Sequence, residues 1–184
     1  MRITSRDELR AAQAPLKERY RQDPAAAITP IRAAADFSAP GITATVAAWS
    51  GPVRSGLHPA AGGDGSDACS ADLLLQALVA CAGVTLRSVA TAMGLDVRTA
   101  DLVAEGVFDA RGTLGIDRTV DVGVQRVRVV ATLDTDADDA ALDRLAVSTE
   151  RYCVVGQSLR HPPAIEIRRA GGSPPPIITD TTRS

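Results

Sequence analysis

The chain is poor in aromatics, which make up 3% of its 184 residues, and Lys17 is its only lysine. A core with so few rings must be filled by Ala, Val and Leu. Arginine carries nearly all of the positive charge. With 20 basic against 22 acidic residues, the net charge of −2 leaves no basic footprint for nucleic acid. No basic start followed by an apolar run opens the chain, so no secretory leader is expected. Gln76 and Arg87 interrupt the longest apolar segment, Leu73–Leu95. Its unbroken part falls short of the roughly 20 apolar residues that a membrane span needs. A soluble, cytoplasmic protein with no membrane partner is expected. Three cysteines in a reducing compartment suggest core thiols or redox chemistry rather than a disulfide framework.

What is present is a pattern of strands and two long apolar helices. Residues 4 to 23 predict an N-terminal helix, with Thr4 or Ser5 as cap and Asp7 and Glu8 in the first turn. Leu9, Ala12 and Leu16 give it a thin apolar stripe, so it should lie on a surface. Pro24 and Pro30 follow it. Ile42 to Trp49 reads as a strand, Ser50-Gly51-Pro52 as a turn, and Val53 to Leu57 as a return strand. The loop His58 to Ser66 is glycine-rich. Residues 70 to 93 predict the first central helix, with Ser70 as cap and Gly94 at its C′ position. Strands are expected over Val97 to Phe108 and Val120 to Leu133, joined by a turn over 109 to 115. The acidic stretch Asp134 to Asp139 opens the second helix, which runs to about Leu159 with a bend at Gly156. Pro162-Pro163 stops it, and Ala164 to Arg168 is a final strand. The order argues for an α+β fold. The expected organisation is a helix and linker over 1–39, one domain over 40–169 and a Pro/Gly-rich tail over 170–184.

Cys81 and Cys153 stand 72 positions apart, one in each apolar helix. If the fold joins them, they form a dithiol that can cycle to a disulfide. If it does not, they are ordinary core cysteines, since free cysteine often behaves as a small hydrophobe. A helix that is apolar on nearly every side should be covered on every side, by sheets or by a partner subunit. Cys81 lies about three turns into its helix, so that helix's own N-terminus cannot make it a thiolate. A cation must come from elsewhere, and Arg54, Arg87 and Arg151 are the candidates.

Other groups carry weaker signals. Cys69 lies twelve residues before Cys81, about 120° round the helix axis, and Asp72 lies nine before it, about 180° round. Asp72 cannot touch Cys81 within one straight helix. His58 and the cysteines lack the close pairing of structural zinc ligands, so no metal site is expected. The loop Gly62-Gly63-Asp64-Gly65 lacks the lysine-serine ending of a P-loop and reads as a flexible surface connection.

Two segments together resemble the OsmC/Ohr family of thiol peroxidases, in a divergent branch. One is Gly62-Gly63-Asp64-Gly65 with Cys69-Ser70-Ala71-Asp72-Leu73-Leu74-Leu75 and the alanine-rich run to Cys81. The other is Glu150-Arg151-Tyr152-Cys153-Val154-Val155-Gly156-Gln157-Ser158-Leu159. The resemblance implies antiparallel sheets wrapped around two central cysteine-bearing helices in an intertwined homodimer. It implies that Cys81 attacks an organic hydroperoxide or hydrogen peroxide, that Cys153 resolves the product as a disulfide, and that a dithiol reductant restores both without a metal or other cofactor. Arg54 best matches the arginine that activates the thiolate. The glutamate of the hydroperoxide branch is replaced by Ala71, and Val154 stands where proline usually follows the second cysteine. The alternative is a non-peroxidase relative that binds a small apolar ligand at the dimer interface.

Overall fold

In a computed structural model, residues 3–171 are described. They form two compact units, one made of segments within 1–30, 78–105 and 127–171, the other of 31–77 and 106–126. The tail expected over 170–184 lies almost wholly outside the described residues.

The first unit opens with helix α1 (Arg6–Gln22). Its start is a capping box. The Ser5 hydroxyl accepts the Glu8 N–H at 3.2 Å, and the Glu8 carboxylate accepts the Ser5 N–H at 3.1 Å. These bonds hold the Glu8 carboxyl below the usual carboxylate range, with the Thr4 N–H as the largest contributor. Pro15 lies inside the helix, where it removes one ladder donor. Only Leu9 of the apolar stripe is buried.

Helix α2 (Ser70–Met93) keeps its expected bounds. Ser70 is its first helical residue rather than a cap outside it, because strand β4 (Ala68–Cys69) runs straight into the helix. Gly94 at φ 73° closes its other end. There the Gly94 N–H reaches the Thr91 carbonyl at 3.1 Å, and the Leu95 N–H reaches that of Ala90 at 2.9 Å. This is the Schellman pattern, which needs a left-handed residue. Leu78, Ala82, Leu86 and Ala90 form the buried stripe at a spacing of four. Val84 is 74% exposed. The expectation of a helix covered on every side is therefore not met within one chain. By length and composition, with a mean hydropathy of 1.7, α2 is also long and apolar enough to cross a membrane. That corrects the expectation that it falls short, although the core helix of a soluble protein passes the same test.

Strands β5 (Thr99–Val107), β6 (Gln125–Asp134) and β7 (Ala164–Arg169) form a sheet in that order. β6 and β7 run parallel, with Val129 opposite Ile165 and Ala131 opposite Ile167. Leu86, Ala90, Val97, Ala131, Leu133 and Leu145 are central to the core of this unit. Arg128 forks onto Glu105 at 2.9 and 2.7 Å and ties β6 to β5. Helix α4 (Asp139–Tyr152) begins five residues later than the acidic stretch does. Asp134 and Asp136 are drawn instead to Arg98, at 2.6 and 2.8 Å, while Asp138 caps the helix by accepting the Ala141 N–H at 2.7 Å.

The second unit holds β1 (Ala35–Asp36), β2 (Thr43–Ala48), β3 (Gly51–Gly56) and β4 in one sheet, and the one-turn helix α3 (Ala110–Thr113). β2 and β3 pair antiparallel from Ala48–Gly51 to Thr43–Gly56, so the hairpin turn is Trp49-Ser50 and Pro52 lies within a strand. β3 and β4 run parallel. Sheets of purely antiparallel strands are thus not what forms. Short adjacent strands joined through loops and helices leave β4 and β7 parallel to their neighbours. The glycine-rich loop is a built turn rather than a loose connection. The His58 imidazole accepts the Ala60 N–H at 3.0 Å through Nδ1, and Asp64 accepts both the Ser66 hydroxyl and N–H. A side chain at Gly63 would strike the Leu57 carbonyl, so only glycine fits there.

Candidate functional site

The second cysteine helix is broken at the cysteine itself. α4 ends at Tyr152, Cys153 adopts an extended conformation (φ −73°, ψ 100°), and the short helix α5 (Val154–Gln157) follows. The bend expected at Gly156 therefore falls three residues earlier. The Cys153 sulfur is the reason, because it caps α5 by accepting the Gly156 N–H at 3.4 Å. Cys153 also bonds at both ends of its backbone. Its N–H reaches Thr149 and its carbonyl accepts from Gln157, each at 2.9 Å. Gly156 leaves room for the sulfur. A β-carbon there would sit 3.3 Å from Cys153 Sγ and 3.6 Å from Leu78.

The surrounding turn is tied down by residues that the sequence pattern did not single out. The Gln157 amide donates to the Glu150 carbonyl at 2.8 Å, and the Glu150 carboxylate accepts the Ile165 N–H of β7, also at 2.8 Å. No spacing signal marks these two residues. They act across 7 and 15 positions of chain.

Cys81 of α2 and Cys153 are joined by a hydrogen bond between their side chains. Both are free thiols. Cys153 is 1% exposed and Cys81 is half-buried. Burial pushes the Cys81 thiol up, but the bonds it accepts outweigh that and leave its pKa below the ordinary thiol value. The backbone N–H of Val155 is the largest of these, followed by the Cys153 thiol, the Thr85 hydroxyl and the Val154 N–H. Cys153 moves the other way. Burial raises it, the Gly156 N–H lowers it, and its bond to Cys81 and the Cys81 charge raise it again. The pair is thus polarised, with Cys81 the more acidic thiol and Cys153 the donor to it. Its leading anion-stabilising groups are amides at the start of α5, which accounts for a lowered thiol without invoking a guanidinium.

The three candidate arginines are each engaged. Arg54 Nε meets the Asp67 carboxylate at 3.0 Å. Arg87 donates to the Val97 carbonyl at 2.6 Å. Arg151 stacks over the Tyr152 ring at 5.8 Å. Cys69 lies in β4 and lines a cavity of about 200 Å³ with Ser70 and Phe108. Asp72 and His58 line one of about 300 Å³, where His58 meets Phe108 edge-on at 5.1 Å. Ala71 lines both of these cavities.

A groove of about 600 Å³ is lined by Val84, Thr85, Val89 and Met93 of α2, by Ser148 and Tyr152 of α4, and by Leu9, Gln13 and Lys17 of α1 among others. Thr85 is both a lining residue and a partner of Cys81.

Residues 63–168 match the family model of the OsmC-like proteins. No curated protein matches the chain. Among solved structures, an OsmC-like protein of unknown function from Vibrio cholerae is similar, at 12% identity and a TM-score of 0.62, over 76% of this chain and 99% of that one. An OsmC-like protein from Mycoplasma pneumoniae has 12% identity and a TM-score of 0.61, over 77% and 96%. An organic hydroperoxide resistance protein from Elizabethkingia anophelis has 14% identity and a TM-score of 0.60, over 77% and 96%. At these identities the likeness concerns the fold. The family match covers more than half of the chain, and its cysteine-bearing elements lie inside it, so the chain belongs to the OsmC-like protein family.

Proposed function

We propose that the chain is a cysteine-based peroxidase for organic hydroperoxides or hydrogen peroxide, acting in the cytoplasm as a soluble homodimer. The observation that carries this reading is the paired thiols, with Cys81 bonded to the buried Cys153 and the more acidic of the two. The names of several structural relatives, such as the organic hydroperoxide resistance proteins of Legionella pneumophila and Bacillus subtilis, point the same way.

In the proposed cycle the Cys81 thiolate attacks one peroxide oxygen. The O–O bond breaks, a Cys81 sulfenic acid forms, and the alkoxide leaves as the alcohol after taking a proton. Cys153 then attacks the sulfenic sulfur. An S–S bond forms and water leaves. A dithiol reductant returns both thiols and is itself oxidised to a disulfide. Val154 and Val155 would hold the thiolate, and Arg54 would serve peroxide binding only if it turns from Asp67. The exposed Val84 face of α2 supports assembly with a second copy, since a large uncovered apolar face marks an interaction site.

One equivalent of cumene hydroperoxide, followed by a free-thiol count under denaturing conditions, tests the reading. Loss of two thiols in the wild type and of none in Cys81→Ser is expected. Three titratable thiols after oxidant would sink the peroxidase and favour the alternative, a relative that binds an apolar ligand. Gel filtration at the mass of one chain would sink the homodimer.

A further inference from the structure

We infer that Gln157 is a positioning residue for the thiol pair: its side-chain amide holds the chain open at Cys153 and so leaves the Val154 and Val155 N–H groups to face Cys81. This role extends the proposed peroxidase, whose nucleophile those groups serve, and it rests on that reading.

No proline or glycine stands between Glu150 and Val155 to end a helix. The last rung of α4 is the Cys153 N–H on the Thr149 carbonyl at 2.9 Å. An uninterrupted helix would next set the Val154 N–H on the Glu150 carbonyl and the Val155 N–H on that of Arg151. The departure lies at one torsion. Cys153 has ψ 100°, where a helix needs about −42°. In the observed form the Glu150 carbonyl accepts the Gln157 side-chain amide at 2.8 Å instead. The Val154 and Val155 N–H groups are thereby released to Cys81. The donor comes from the last residue of α5, so one bond both occupies the carbonyl and pins the short helix. Such pinning is needed, because a helix of four residues has too few rungs to offset the cost of its own nucleation. The other end of the clamp is fixed in turn, since the Glu150 carboxylate accepts the Ile165 N–H of β7 at 2.8 Å. Gln157 itself is exposed, and its action on Cys81 runs through the backbone.

Iodoacetamide alkylation of the reduced full-length protein at neutral pH, resolved by peptide, reads this role without peroxide. Gln157→Met keeps the length of the side chain and removes the donor. It is expected to slow alkylation of Cys81 by about tenfold, because the thiolate loses an amide bond. Val154→Pro is the rescue. Proline suits the first position of a helix, which Val154 holds in α5, and it has no N–H for the Glu150 carbonyl. Added to Gln157→Met, it should keep the break without the clamp. The rate should then return to within about threefold of wild type, through the Val155 N–H that remains. A wild-type rate in Gln157→Met overturns the role, and so does failure of Val154→Pro to restore it. Faster alkylation of the buried Cys153 in Gln157→Met, the mark of a loosened fold, overturns it as well. Thiol loss to cumene hydroperoxide with no change in alkylation sinks this role alone. The expected alkylation pattern with no thiol loss to that oxidant sinks the peroxidase alone.

Discussion

The sulfur of Cys153 accepts the backbone N–H of Gly156 at 3.4 Å, within a turn where a β-carbon on residue 156 would sit 3.3 Å from that sulfur. The same sulfur bonds to Cys81. One atom therefore closes a helix and faces the other thiol.

Gly156→Ala tests that arrangement. The added methyl would sit 3.3 Å from Cys153 Sγ, which forces the sulfur to give by a few tenths of an ångström. Slower formation of the Cys81–Cys153 disulfide after stoichiometric peroxide is expected, with sulfenic acid at Cys81 persisting long enough to be trapped by dimedone. Stopped-flow thiol oxidation with mass spectrometry reads both. Disulfide formation at the wild-type rate would mean that the cap does not position the sulfur.

The two thiols should separate in a pH titration. A lowered pKa raises the thiolate fraction at any pH below it, and a raised pKa reduces that fraction. Cys81 should therefore alkylate with iodoacetamide at a midpoint below the ordinary thiol value of about 8.5, and Cys153 only above it. Cys81→Ser removes the bond and the charge that help burial to hold Cys153 up, so the Cys153 midpoint should fall. Peptide-resolved alkylation rates check both. A Cys81 midpoint at or above the ordinary value contradicts the site's polarity.

Arg54 offers a sharper choice. If Arg54 assists peroxide binding, Arg54→Met should raise KM for hydroperoxide, and Asp67→Asn, which frees the guanidinium from its 3.0 Å partner, should lower it. Steady-state kinetics on both variants decide. Unchanged kinetics in both, with a small loss of stability, would leave Arg54 a structural residue of β3 and the loop before β4.

Arg128 is set between strands, with side-chain exposure of 20% against 19% for Glu105. Arg128→Met leaves the Glu105 carboxylate partly buried without its fork, which should cost about 1–3 kcal/mol. Leu86→Ala, at a side chain 1% exposed, should cost about 2–5 kcal/mol by opening a cavity. Urea midpoints read both, and both variants should keep three titratable thiols.

Much of this fold was legible in the chain. Gly94 and the apolar run before it mark the end of α2, and Thr4 or Ser5 with Asp7 and Glu8 close behind marks the start of α1, because caps depend on neighbours a few residues away. The break at Cys153 was not legible. Val154 and Val155 continue the apolar pattern of a helix, and a thiol that caps one has no compositional signature. The site divides along the same line. The two cysteines stood out by residue type, whereas the groups that lower Cys81 are backbone amides, which every sequence contains. Arginine was the expected activator because only side chains can be read from a sequence. The parallel pairing of β6 with β7 depends on a connection through α4 and α5, and strand periodicity carries no direction.

The placement of Cys153 between two helices has a mechanical consequence. A residue inside a helix cannot move without unwinding a turn, but Cys153 sits at a joint whose ladders end on one side and begin on the other. Its sulfur can exchange the Gly156 amide for a new bond through rotation about that joint. Hydrogen exchange in α4 should then be equally slow in the reduced and oxidised protein, and the change confined to the amides of Val154 through Gln157. The joint would then act as a hinge of one residue, with α4 as its fixed side and α5 as the side that gives.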